Sequence, residues 1–445
     1  MKTGLFWFNA DLRLDDNNSL RELLNRSECV GFVYVIDPRW FHPLRFHQPR
    51  MAAPRWQFLK QSLSDLHRQL KDKGHALTLL VGDPITELSL QLRSWNADLL
   101  GCSTPTGYFE AQQLSAVAAN VSRVITNTDL TLFNSVQLAQ DHPTMTSFSQ
   151  FRKYVESSDL PLSSPSPSHS FELASVASTE SLETIFSRIE ERWPQLATPS
   201  QSRFQGGSVA AQKHLIDYFS SANAACYKDT RNALDDWDSS TKFSPYLAIG
   251  NLSARQVWSA VSDYERKHIA NTSTYWIRFE LLWREYFHHL AIRQGPKSFR
   301  FQGSASRRPL TFFNATRFAQ WCAGSTEFPL VNACMNQLRA TGYISNRARQ
   351  IVASCLVNEL NCDWRFGAAY FEQYLVDYDV AANWGNWQYI AGVGADTRGG
   401  RHFNLEKQSA VYDADGRYTR KWLDNSNEYV APWVDAVDWP IALSD

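Results

Sequence analysis

The chain has little of what would point to several common protein classes. None of its 445 residues fall in a run of about 18 uninterrupted apolar residues, so no membrane span is expected. The first apolar run, GLFWFN at 4–9, is short and followed at once by DLRLDD, which does not read as a secretory signal. Cysteine is sparse and scattered. The seven thiols include no CxxC pair, which argues against a disulfide framework and for a reducing, cytoplasmic setting. Charge of either sign is not in excess. The net charge of −1 gives no global basicity to announce nucleic acid. No glycine-rich fingerprint follows the first strand-like run, so a dinucleotide site of that type is not expected there. His288 and His289 are adjacent and so point to different helical faces. His289 reads as a helix-surface residue, with a part in lesion or proton chemistry as the alternative, and no metal site is expected.

Aromatic residues are plentiful instead, at 13%, and most of the 16 Trp lie in the second half. Such residues fill cores, stack on flat ligands or relay electrons. One local run, 293–308, carries Arg293, Lys297, Arg300, Arg307 and Arg308 and no acid, and reads either as a solvated loop or as a groove following phosphates. Strand-like runs at 4–9, 30–37, 76–83, 98–104 and 123–133 alternate with helical patterns such as 55–73. This predicts a doubly wound α/β unit with a five-stranded parallel sheet over residues 1–156. Residues 157–200, rich in Ser and Pro, read as an interdomain linker draped over the surface. From 201 to 445 the pattern is all-α.

The stretch 343–390 organises the second half. It reads as two amphipathic helices and then a tight loop bearing Asn and Gly. Asn346, Arg349 and Gln350 share a helical face, backed by Ile351, Val352, Cys355 and Leu356. A polar trio beside an apolar stripe is costly unless something meets it. The loop brings Asp377, Asp379 and Asn383 towards the same place. An Arg, two Asp and an Asn over an apolar floor suit a planar, polar-edged ring such as an isoalloxazine.

With its motifs NRARQIVAS, DWR and DYDVAANWGNWQ, this stretch resembles the photolyase/cryptochrome family, and the likeness runs from about residue 4 to about residue 425. The resemblance implies FAD in the helical half. The Arg349–Asp377 pair would lie alongside the flavin, Asp379 at its imide edge, and Asn383 near N5. Tyr227 and the run Thr241, Lys242, Phe243, Ser244 would hold the remainder of the cofactor. Pyrophosphate favours amides and a cation ahead of the helix starting near Ser253, although capping and turn chemistry explains the same run on its own. Glu280 and Trp283, at i and i+3 of FELLWREYFHHL, match residues that contact the lesion in photolyases. Asn346, Arg347 and Gln350 are placed at the lesion by the same match. Without the resemblance, that helix reads as amphipathic with a Glu280–Arg284 pair. Trp387, Trp364 and Trp321 match an electron relay from flavin to surface. Glu110 lies near the place of a folate-binding carboxylate in relatives, where 5,10-methenyltetrahydrofolate would act as antenna; a helix-starting surface acid is the simpler reading. Cys322, Cys334, Cys355 and Cys362 read as buried thiols rather than ligands of an iron–sulfur cluster.

Two positions depart from the common cyclobutane-dimer photolyases and resemble the DASH branch. Gln350 stands in place of an apolar Met, and Tyr389 in place of a second Trp that packs the dimer. The tail 391–404 is also DASH-like. Flipping a dimer out of duplex costs a few kcal/mol, and a stacking face is worth about 1–3 kcal/mol per base. Losing one face therefore implies repair mainly of dimers in single-stranded DNA, by a monomer. A light sensor that binds DNA and regulates transcription is the alternative.

Overall fold

The computed structural model describes residues 2–43, 46, 48–134, 137–138, 147–158, 160–167, 173–176, 180–306, 308–394 and 400–423. Arg307, residues 395–399 of the expected DASH-like tail and parts of the expected linker lie outside the described residues.

Five short runs form the parallel sheet: β1 Thr3–Phe8, β2 Cys29–Ile36, β3 Leu77–Val81, β4 Leu99–Ser103 and β5 Arg123–Asn127. Their order is β3-β2-β1-β4-β5, and β6, Ala174–Ser175, adds a short parallel strand against β2. Side chains alternate between two cores. Phe6, Phe8, Phe32 and Tyr34 enter one, while Leu5, Trp7, Val33 and Val35 enter the other. A sheet covered on both faces explains why these strands read as continuous apolar runs rather than alternating ones. Phe6 pairs with Phe32 on one side and with Gly101 on the other.

The run DLRLDDN after β1 serves docking. Arg13 is buried and donates to Asp16 O (3.0 Å), Asp129 O (2.9 Å) and Gly250 O (3.1 Å). Arg255, from the helical half, donates to Asp16 Oδ2 at 2.9 Å. Gly250 has φ +76°, and a Cβ there would lie 2.1 Å from Ala10 O, so the two backbones meet where no side chain fits. The carboxyl end of the sheet is thereby fixed against residues 249–255.

The span 157–200 differs from the linker expected. Besides β6 it carries the helix Leu182–Arg192, which buries Leu182, Ile185, Phe186 and Ile189, and Trp193 then packs on Phe41 at 4.8 Å. The apolar spacing 182, 185, 186, 189 is one helical stripe, hidden in the sequence by the Ser/Pro composition around it. From 201 onward the described residues form no strand; the isolated bridge Phe312–Cys362 is the nearest approach to one. All seven cysteines are free, and Cys322, Cys334, Cys355 and Cys362 are buried. No helix among the described residues is long and apolar enough to cross a membrane.

Candidate functional site

A cavity of about 620 Å³ opens between the helix Asn346–Ser354, the end of the helix Trp364–Tyr374 and the helix Val380–Ala391. Ser345 caps the first of these by accepting from Ala348 N, which sets the helical phase. Asn346, Arg349 and Gln350 then face the cavity, while Ile351 and Val352 are buried behind them. The last segment was expected as a tight loop. It is a helix: Asp379 caps it through Oδ1, which accepts from Ala382 N at 2.8 Å, and Gly392 ends it at φ +69°. Gly385 within it fits a close approach rather than a turn, since a Cβ would lie 2.3 Å from Phe287 Cδ1. The helix carries Asn383, Trp387 and Tyr389 to the cavity wall. Of the expected residues, these three join Asn346, Arg349, Gln350, Asp377 and Asp379 in one lining.

The charges in the wall are held firmly. Arg349 Nη2 donates to Asp377 Oδ2 at 2.8 Å, and its Nε donates to Ile344 O at 3.0 Å. Asp377 Oδ1 is buried with no partner among the described groups. Burial alone would raise the Asp379 carboxyl. His288, Arg284 and the Ala382 N–H outweigh that effect and hold it well below the usual carboxylate range. Asn383 donates from Nδ2 to Ala368 O (3.0 Å), leaving its amide oxygen to accept from the cavity side. The floor is Ala353, Phe371, Leu375, Trp387 and Ile390. This wall offers a cation, two carboxylates and an amide oxygen over an apolar base. It suits a flat heterocycle whose edge alternates N–H and C=O.

Other expected residues lie outside that lining. Glu280 is taken by an ion pair with Arg231, not by Arg284, whose Nη1 donates to Leu130 O at 2.7 Å. Burial raises the Glu280 carboxyl, against the pull of Arg231. Trp283 stacks on Phe148 (3.7 Å, 11°) and meets the ring of Tyr389 edge-on at 5.9 Å. The Tyr389 hydroxyl accepts from Arg401 at 2.6 and 2.8 Å. Arg347 turns away to Asn232 Oδ1 (3.2 Å) and the ring of Tyr412. Tyr227 is buried beside Arg231 and Glu280.

The run 241–244 leads directly into the short helix Ser244–Ala248. The helix Ala254–Lys267 is capped by Ser253 itself in a capping box, so the run is not its entrance. Thr241 O accepts from His214, and Phe243 is a core residue among His214, Tyr218 and Phe219. Lys242 is buried at φ +52°, and burial pushes its ammonium down to about 8. It lies over the ring of Tyr343, on which Arg349 also sits, at 5.4 and 5.2 Å. A second cavity, of about 820 Å³, opens at Lys242, Tyr343, Arg203 and Trp237.

The three expected relay residues are not a line to the surface. Trp387 is at the cavity and Trp321 packs on it at 6.2 Å, but Trp321 is 0% exposed and its Nε1 donates to Val352 O. Trp364 is also 0% exposed and meets Trp384 at 5.7 Å. Glu110 opens the helix Tyr108–Ala118, as an acidic first-turn residue should, yet its Oε2 is buried without a partner and burial raises its carboxyl. A cavity of about 300 Å³ lies at the start of that helix, lined by Gly107, Tyr108, Phe287, Val380 and Trp384. Arg293, Lys297, Arg300 and Arg308 are exposed.

Sequence reasoning missed Tyr378 and Asn386 in the wall, and His288 behind it. His288 is engaged by Asp379 (2.8 Å), and His289, expected at a helix surface, by Glu285 (3.0 Å). The spacing Glu285–His289 was a legible i, i+4 signal; the His288–Asp379 contact spans 91 residues and was not.

Residues 276–441 match the family model for the FAD binding domain of DNA photolyase, and residues 4–168 the one for DNA photolyase. A protein named Cryptochrome DASH from Idiomarina loihiensis is 44% identical, with 99% of this chain and 97% of that one covered. The chain belongs to the photolyase/cryptochrome family. Its relatives place it in the DASH branch, a second being the Cryptochrome DASH of Vibrio parahaemolyticus at 40% identity, with 99% and 97% covered. Among solved structures, the Synechocystis cryptochrome superposes with a TM-score of 0.87 at 35% identity, covering 95% of this chain and 89% of that one. A class III photolyase from Agrobacterium tumefaciens gives 0.81 at 26%, covering 95% and 87%. The matched FAD-binding domain contains every residue of the cavity wall.

Proposed function

We propose that the chain is a blue-light flavoprotein that splits cyclobutane pyrimidine dimers, preferentially in single-stranded DNA. The observation that carries the reading is the unpartnered, buried Asp377 Oδ1 in a wall that also presents Asp379, Asn383 and Arg349. An acceptor in that state is costly unless a ligand N–H or an ordered water meets it. The isoalloxazine edge of FAD supplies such a group. Thr241, Lys242, Phe243, Ser244 and Tyr227 would hold the phosphate side, with Lys242 as the buried cation.

When bound and reduced, FAD supplies a light-excited electron to the dimer and takes it back after the ring has split, so no net redox change occurs. The chain's own residues bind and orient. Arg349 and Asp377 form a neutral pair that tolerates a charged ring beside it, and Asn383 presents a neutral amide that does not titrate. Trp387, with Trp321 packed on it, and Trp364 beside Trp384 would provide oxidisable rings for reducing the cofactor under light. Gln350 and Tyr389, in the cavity lining, and Glu280, Trp283 and Arg347, outside it, would meet the lesion, with Glu280 accepting from base N–H groups. The buried, unpartnered Glu110 fits the amino and amide edge of a pterin, hence 5,10-methenyltetrahydrofolate as antenna.

One observation favours the alternative, a photoreceptor that binds DNA without repair. Glu280 is engaged by Arg231, and one face of Trp283 is covered by Phe148, so lesion binding has to displace both contacts. Light-dependent repair assayed on dimers in single strands and in duplex separates the readings. Repair confined largely to single strands is expected. Equal rates would defeat the strand preference, and flavin photoreduction without repair of either form would select the receptor.

A further inference from the structure

His288 lies one turn after Arg284 on the helix Thr272–Gln294, and its side chain is 2% exposed. Its Nε2 is 2.8 Å from Asp379 Oδ2, while its Nδ1 is buried without a partner. A carboxylate can only accept, so the neutral ring carries its proton on Nε2 and leaves Nδ1 as a lone pair. Asp379 Oδ1 is already held by Ala382 N. The carboxylate is thus fixed from two sides, by a helix start and by an imidazole, while it lines the cavity.

The charged groups around this pair are accounted for. Arg284 stands 3.8 Å from the same Oδ2, but its guanidinium donates to Leu130 O and Leu247 O. Glu285 accepts from Leu132 N, Phe133 N and His289. Burial lowers the His288 imidazole below its usual value, against the pull of Asp379, so the ring stays neutral at pH 7.

We propose that His288 is a positioning residue: by donating from Nε2 it fixes Asp379 as the acceptor for an imide N–H at the cavity wall. The inference rests on the flavin reading above. It assigns His288 the task of making the site distinguish a ring that offers this N–H from one that does not. A hydrogen bond to a charged acceptor is worth about 1.5–3 kcal/mol, or roughly 10- to 150-fold in affinity.

The test is fluorescence titration of the full chain with FAD and with N3-methyl-FAD, whose imide nitrogen carries no proton. Wild type should prefer FAD by about tenfold or more. His288→Leu, which has no donor, should bring that preference within about threefold, and His288→Gln, which restores one, should return it. If the Leu variant weakens both flavins equally, or if the preference does not move, His288 is structural and the proposal fails. Should the Leu variant not fold, NMR of the flavin-free wild type decides. An Nε2–H tautomer at pH 7 is expected, and an imidazolium at pH 7 overturns the proposal. A wild type that binds neither flavin refutes the function proposed above, whereas FAD binding with an unresponsive preference refutes this inference alone.

Discussion

Replacing Arg349 by Met tests the buried ion pair at the centre of the wall. Asp377 is 1% exposed and Arg349 23%, so the carboxylate is the desolvated partner. Removing one member of a buried pair leaves the other charge uncompensated, at a cost of about 3–5 kcal/mol. Here the lower end applies, because the guanidinium keeps some water. The lost Arg349 Nε bond to Ile344 O adds about 1 kcal/mol. Met loses the guanidinium contact with the Tyr343 ring but retains most of the aliphatic stem, so little of the loss is cavity formation. The expected destabilisation is thus about 4 kcal/mol, a large part of the 5–15 kcal/mol of a typical domain. Urea unfolding at pH 7 reads it as a fall in midpoint with unchanged slope. Asp377→Asn in the Arg349→Met background removes the stranded charge and should recover most of the loss, to within about 2 kcal/mol of wild type. A single-variant loss under about 1 kcal/mol, or a double variant weaker than the single, would refute the reasoning.

Other outcomes follow from the same geometry. Gly367→Ala places a Cβ 2.2 Å from Trp387 Cη2, which must push that ring into the cavity; a loss of about 1–3 kcal/mol and weaker FAD binding are expected by thermal melt and titration. Trp321→Phe deletes the Nε1 bond to Val352 O, which keeps its backbone partner Cys355 N, so the cost is about 0.5–1.5 kcal/mol, and flash spectroscopy should show slower flavin photoreduction. Glu280→Ala should reduce repair sharply while photoreduction persists, measured on one sample under blue light. Lys242 falls from its usual 10.5 to about 8 when folded, so above pH 8 the unfolded chain holds a proton the folded chain has released. Stability should therefore rise with pH from about 8 to 9.5 relative to Lys242→Met, as read by urea midpoints; a flat difference contradicts the burial.

Much of the fold was legible, and the failures have physical causes. The strands announced themselves because burial on both faces demands unbroken apolar runs such as VGFVYVI. The polar face at 346–350 was legible because helical spacing alone puts those three residues together. The segment after Asp379 was misread as a loop because Asn and Gly signal breaks, whereas here Gly385 makes room for Phe287. The helix at 182–192 was masked by Ser-rich flanks, although its apolar period was present. Contacts that cross the chain left no local trace. The Arg231–Glu280 pair, Phe148 on Trp283, and His288 behind Asp379 each depend on how distant helices pack. The burial of Trp321 was equally hidden, since spacing places a Trp on a helix but does not say which face the next helix covers.

Equilibrium titration of the purified chain with FAD, followed by quenching of flavin fluorescence, tests the central claim most directly. The wall predicts one FAD bound per chain, and an affinity at least about tenfold weaker in Arg349→Met. A protein that takes up no FAD, or one whose affinity for FAD is unmoved by that substitution, would contradict it.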